Sequence, residues 1–295
     1  MNSKELLQLQ LSAKRSNPKG VKPDLSNGVA YYAELRRMIR AVSADINKYI
    51  MPVVREFAPE YSRDNAIELN DNWVNVLTAA MEFVRDKWDS PRFKLFTDET
   101  AAKFVSAANL SNRRRTETDL GINIYADQQE LTDYLQLSIK DNVNLITSIP
   151  DQYLTQVESI VMTNIRAGGR PSAIAKSLAQ QFDVTERRAK MIARDQTAKI
   201  NGDLNRMRQM NAGFPYFQWL DSEDSRVRDR HAYLANHVTA YGKGVYRWDN
   251  PPLSDKGIPI IPGSDYQCRC TAIPVSQDEV DENRKAGKVA PGVYR

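Results

Sequence analysis

Cysteine and histidine are almost missing from this chain. Of 295 residues, two are cysteine (Cys268 and Cys270) and two are histidine (His231 and His237). Two cysteines cannot build a disulfide scaffold, so nothing in their number points to an oxidising compartment. No stretch approaches the roughly 18 consecutive apolar residues of a membrane span. The opening segment, MNSKELLQLQLSAKRSNPKG, has no apolar core of signal-peptide length. No membrane partner and assembly in a cytoplasm are therefore expected. Internal repeats are absent. Near the C-terminal cluster of rare residues there is no nucleophile motif, phosphate-cradling loop or paired catalytic carboxylate, so an enzyme is not expected.

What is present reads as an ordinary globular chain of about two domains, with 41% hydrophobic and 26% charged residues. The net charge of +4 says little by itself, but the charge is unevenly distributed. Residues 1–56 carry ten Lys/Arg against five Asp/Glu, residues 57–159 ten against seventeen, residues 160–212 ten against four, and residues 213–295 eleven of each. Basic segments of this kind either contact a polyanion or solvate the outer faces of long helices.

The fold class expected is mostly α: an elongated helical body followed by a small α+β C-terminal domain with short antiparallel strands. Residues 1–28, polar and punctuated by Pro18, Gly20, Pro23 and Gly28, read as an extended arm that needs a surface to lie on. The helical body is expected over 29–212. Leu35, Ile39, Val42, Ile46, Tyr49 and Val53 make a heptad-like seam, read as one helix of a bundle or as a coiled-coil contact, with Pro52 kinking or ending it. A second helix is expected over 63–88 and a third over 98–110. SNRRRTETDLG is expected as a charged loop, with further helices from 129 to 149 and from 151 to Gly168-Gly169. Pro171 opens the next helix, and DVTE (183–186) resembles a capping box that opens a separate long one. Arg187, Arg188, Lys190 and Arg194 give that last pair a superficial likeness to a DNA-reading helix-turn-helix, but the second helix is too long and the turn lacks its glycine. These four residues are candidates for non-specific contact with double-stranded DNA.

From Gly213 the pattern changes. FPYFQWLDS alternates as a strand, HVTAYGKGVYRWD reads as a hairpin turning at 242–244, and CRCTAIPV reads as a short strand. The small domain is expected over 213–275, followed by a charged tail over 276–295. On a strand, Cys268 and Cys270 point to one face and Arg269 to the other. Two sulfurs side by side fit a disulfide poorly and a shared metal ion better. A structural zinc takes four N or S ligands, here Cys268, Cys270 and His231, with His237 or Asp224 to complete the set. The alternative is two small buried hydrophobes beside a hydrogen-bonded core histidine. The charged run around Asp224, Arg226 and Arg228 reads either as an Arg–carboxylate network ordering the loops or as part of a metal-dependent hydrolase using His231, Asp224, Cys268 and Cys270.

Read together, Trp219, Asp224, Arg226, Arg228, His231, Pro251, Pro262, Gly263, Cys268, Arg269, Cys270 and Pro274 form a pattern that resembles the phage Mu F-like family of minor head proteins, over about residues 151–275. His237 is not a position of that pattern, and Gln267 stands where the family usually has asparagine. The resemblance implies a structural component of a tailed-bacteriophage virion, in the head near the portal vertex. Its implied partners are the portal protein and capsid or scaffolding proteins, with a role in head morphogenesis and DNA packaging or delivery. The alternative reading is a non-specific DNA-binding protein of the packaging or ejection apparatus.

Overall fold

The computed structural model describes residues 18–57, 72–121 and 129–291. Expectations for residues 1–17 and for the start of the helix placed at 63 lie outside them. The described chain is mostly helical, with a C-terminal region of short antiparallel strands, as the sequence predicts. Its elements are α1 (Leu25–Asp45), a π-helical turn (Ile46–Ile50), α2 (Met51–Phe57), α3 (Asn72–Lys87), α4 (Pro91–Leu120), α5 (Gln129–Arg166) and α6 (Pro171–Asn211). There follow β1 (Tyr216–Leu220), α7 (Asp229–Asn236), β2 (Val238–Thr239), β3 (Gly242–Lys243), β4 (Val245–Arg247), β5 (Thr271–Val275) and α8 (Gln277–Lys285). The chain divides into two compact units: residues 29–104 with 139–193, and residues 1–28 with 105–138 and 194–295.

The first unit is helical. The seam of α1 is buried within it, with Leu35, Ile39 and Val42 fully enclosed, so the bundle reading accounts for the heptad spacing. Pro52 does not end the helical run, which continues through it in α2. The turn before it widens to π geometry, with the Met51 N–H bonded to the Ile46 carbonyl. A widened turn relieves the clash between the proline ring and the carbonyl four residues back. Pro150 is likewise carried inside α5, where a break was expected. A mid-helix proline costs about 3 kcal/mol, and burial of Ile146, Ile149, Tyr153, Leu154 and Val157 along the helix offsets it. No break occurs at DVTE either. The buried Thr185 hydroxyl bonds back to the Gln181 carbonyl instead of capping a new helix, and α6 runs unbroken from 171 to 211. With no turn there, the helix-turn-helix likeness falls away.

The second unit contains the strands. SNRRRTETDLG is helical rather than a loop: Arg113 and Glu117 pair at i,i+4, Thr116 and Thr118 bond back one turn, and the helix ends at Leu120 before Gly121. Its inner face carries a buried polar network. The Asn112 amide donates to Asn201 (2.8 Å) and Asn205 (2.7 Å), while its carbonyl oxygen accepts from Arg208. Asn201 and Asn205 donate in turn to the Val21 carbonyl at 2.9 and 2.8 Å. Arg208 also reaches Asn109 Oδ1, and burial pushes its guanidinium down to about 10. Residues 18–24 thus lie on the protein's own surface, with the Lys19 and Gly20 N–H groups donating to the Asp119 carboxylate.

The main sheet has the order β4-β1-β5, all antiparallel, and pairs Tyr216 with both Arg247 and Val275. Alternation along β1 covers both faces. Phe217 and Trp219 enter a core with Leu234, Trp248, Ile260, Ile261, Cys268, Cys270 and Ala272; Tyr216 packs with Val245, Val275 and Val280 on the other side. The small hairpin turns at 240–241, two residues earlier than expected, because Gly242 and Lys243 pair with Thr239 and Val238. The expected tail begins with α8, closed by a capping box between Ser276 and Glu279 and anchored by the buried Val280.

Replacing Asn112 with alanine leaves Asn201, Asn205 and Arg208 short of partners in a buried site. The expected loss is about 3 kcal/mol, measured as a fall in the urea unfolding midpoint.

Candidate metal centre

The site is assembled by one short helix and two irregular loops around β1. The loop after β1 is shaped by Asx turns: the Asp221 carboxylate accepts the Glu223 N–H (2.8 Å) and that of Asp224 accepts the Arg226 N–H (3.0 Å). It leads into α7, whose first turn carries His231 inward, with its ring edge-on to Trp219 at 5.3 Å between centroids. The second loop, 249–270, reaches the same place from the other side. It is seated on α6, where Gly202 and Gly263 face each other. A Cβ on Gly202 would lie 2.4 Å from the Pro262 carbonyl oxygen, and one on Gly263 2.7 Å from that of Ala198. The Gln267 N–H then donates to Asp195 at 2.6 Å. Gln267 adopts a positive φ of 50°, a conformation asparagine takes more readily, which gives a physical reason for asparagine in the related pattern.

Both cysteines precede β5 rather than lying on it, yet their sulfurs converge as the strand reading predicts. Nδ1 of His231 lies 3.6 Å from Cys268 Sγ and 3.4 Å from Cys270 Sγ. All three ligand atoms lie within 4.8 Å of one another, and all three residues are buried. The Gly263 and Cys270 N–H groups both point at Cys268 Sγ at 3.4 Å. On the opposite ring nitrogen, Nε2 faces Asp265 Oδ2 at 3.2 Å, and Arg228 holds that same oxygen at 3.2 Å.

The electrostatics follow from this contact. The Cys270 thiol beside it holds the Cys268 thiol pKa far below its ordinary value, against burial, and His231 adds to the effect. Cys270 is driven the other way, by the Cys268 charge and by burial. Burial pushes the His231 pKa down, but Cys268 and then Asp265 outweigh it and leave it raised. The three groups favour a Cys268 thiolate beside a protonated His231, so a cation binding here would take the place of the proton held between them.

Among the other site residues named from sequence, Asp224 and His237 are outside this cluster. The Asp224 carboxylate receives both terminal nitrogens of Arg269, and that bond, with burial opposing it, holds its carboxyl well below the usual range. A carboxylate committed to a guanidinium is a poor general base, and the carboxylate that faces His231 is Asp265 instead. His237 ends α7 in an exposed position, stacked on Tyr233 at 4.8 Å. Arg226 lies 3.6 Å from Asp224 and is exposed. On α6, Arg187, Lys190 and Arg194 are exposed, while Arg188 is half-buried and donates to Ser148. Sequence reasoning gave no role to Asp265, Asp195 or Gly202. Asp265 stands three residues before Cys268, the one signal available, but its partner His231 is 34 residues away.

The Asp224–Arg269 bond has a definite pH dependence. Because the folded carboxyl titrates below its unfolded value of about 3.9, its contribution is present above that pH and is lost as pH falls towards the folded value. Asp224→Asn is therefore expected to lower the thermal midpoint at neutral pH. The difference from the wild-type chain should close below about pH 4, as followed by circular dichroism.

Comparison with known proteins places this geometry. An uncharacterized protein of Haemophilus influenzae is 26% identical to this chain, over 99% of the chain and 61% of the relative. The chain therefore spans about three fifths of the length of that curated relative. No solved structure matches. Residues 155–273 match the model of the family described as phage Mu protein F like protein, the family that the motifs resemble, and every residue of the site from Trp219 to Cys270 lies inside the matched segment.

Proposed function

We propose that this protein is a structural minor head protein of a tailed bacteriophage. In this reading it resides in the virion head near the portal vertex and acts in head morphogenesis and in DNA packaging or delivery. The observation that carries the reading is the family match over 155–273, which takes in all of α6, most of the sheet and the whole cluster. The site's chemistry supports a role in assembly. Its charges are spent on one another, Arg269 on Asp224 and Arg228 on Asp265, and its sulfurs face inward. Among the described residues no helix is long and apolar enough to cross a membrane.

Portal protein, capsid and scaffolding proteins are the partners of this reading. Tagged chain co-expressed with the portal protein of its own phage should co-purify with it, and purified particles should contain it in few copies. Particles that lack the chain, with an unchanged titre when its gene is deleted, would sink the proposal.

A second reading, contact with double-stranded DNA without sequence preference, draws on the exposed Arg187, Lys190 and Arg194. Arg188 is the least suited of the four, being half-buried and already bonded. If Arg187 and Lys190 each neutralise a phosphate, the slope of log K against log salt falls by about two in the Arg187→Ala/Lys190→Ala double variant. A gel-shift titration in increasing salt reads this slope. Equal slopes in wild type and variant remove these side chains from any DNA contact.

A further inference from the structure

Zinc–sulfur bonds of about 2.3 Å and zinc–nitrogen bonds of about 2.0–2.1 Å, at tetrahedral angles, separate sulfur from nitrogen by about 3.6 Å. Nδ1 of His231 stands 3.6 and 3.4 Å from the two sulfurs. We propose that His231 Nδ1, Cys268 Sγ and Cys270 Sγ hold one zinc ion, with its fourth position open to the adjoining cleft and filled there by water or a small anion. The proposal goes beyond the head-protein reading and stands independently of it.

Three features favour an ion over the other uses of two thiols and an imidazole. The first is that both sulfurs face the same ring nitrogen. A nucleophilic cysteine paired with a histidine needs only one sulfur on that nitrogen, and it needs access, whereas Cys268 and Cys270 are only 3% and 7% exposed. The second is the surrounding shell. Asp265 fixes the ring from Nε2, Arg228 fixes Asp265, and two backbone N–H groups point at Cys268 Sγ, the kind of outer contacts that orient metal ligands. The third is the structural need. The loop 249–270 has a single isolated bridge, Leu253 with Pro259, so an ion joining its end to α7 fastens the least laddered part of the unit. Two thiolates and one imidazole are soft and borderline donors, at separations that tetrahedral bonds would give, which favours zinc among common divalent ions. Binding displaces two protons to solvent, the one shared by Cys268 and His231 and the one on the Cys270 thiol, and two thiolates with a neutral imidazole and a dication leave the buried site neutral.

The fourth position has no protein donor. Among the described residues, no further histidine, cysteine or carboxylate joins the group. Asp265 is on the far nitrogen, and Asp224 is taken by Arg269. The cleft that reaches the sulfurs is instead rimmed by Arg194, Arg226 and Arg228. An anion drawn to Arg194 and Arg226 is placed to complete the coordination.

The test uses the full chain, purified without chelator or a metal-affinity step. Elemental analysis should find one zinc per chain in the wild type and almost none in Cys268→Ser or Cys270→Ser. In case those variants fold poorly, the wild-type chain is stripped with chelator under reducing conditions and titrated with cobalt(II). Thiolate-to-cobalt charge-transfer absorption and intense four-coordinate d–d bands are expected, and the d–d bands should shift when azide is added. Asp265→Asn should still bind, with affinity lowered about 10- to 100-fold. Several results would overturn the site: a folded, reduced chain that takes up neither metal, a cobalt spectrum without thiolate charge transfer, or a freshly purified chain whose intact mass is lower by two hydrogens, marking a disulfide. A d–d spectrum indifferent to azide would overturn the open fourth position.

Discussion

The close approach of Gly202 to the Pro262 carbonyl governs how the cluster is built. A loop of this length with almost no ladder of its own cannot hold three side chains in register by itself. It is held because α6 offers it a surface without side chains at Gly202, an acceptor for the Gln267 N–H at Asp195, and a donor at Gln209 for the Ala272 carbonyl. The helix thereby fixes where Asp265, Cys268 and Cys270 arrive. His231 is set separately, by β1 and the Asx turns that lead into α7. The site is the meeting of two supports that are distant in sequence.

The same contacts explain which residues matter to the cluster and how. Asp265 accepts from Arg228 and faces His231 through one oxygen, so the outer charge of the loop and the tautomer of the buried ring are coupled. Asp224 and Arg269 form a parallel tie, outside the cluster but spanning the same two loops. Arg269 is drawn to Asp224, which leaves Cys268 and Cys270 to share one partner.

Much of this was legible in the sequence and some was not. The apolar spacing of α1 and the strand alternation of β1 follow from short-range periodicity, which a sequence displays directly; the spacing of Cys268 and Cys270 pointed to their convergence although neither lies on the strand. The errors came where a strong local signal met a longer-range constraint. Pro52 and Pro150 read as breaks, but a widened turn and a buried helical face absorbed them. DVTE read as a cap, but Thr185 is buried and turns its hydroxyl back on its own helix. The charged run after Leu110 read as a loop because Asn112, its inward anchor, looks like any surface polar residue until Asn201, Asn205 and Arg208 are brought beside it. Asp224 and His237 looked like ligands by type alone. Only the fold shows that one is committed to Arg269 and the other stands at an exposed helix end.

The clamp on Val21 is made of amides. Asn201 and Asn205 hold its carbonyl, Asn112 holds both of them, and the only ionisable member, Arg208, keeps its proton until about pH 10. Carboxylate anchors release when acidified, and imidazole anchors change state near neutrality, but an amide clamp has no proton to exchange across that whole range. At Val21 the N-terminal segment is fastened in a way that acidity does not address, whereas Lys19 and Gly20 beside it rest on the Asp119 carboxylate.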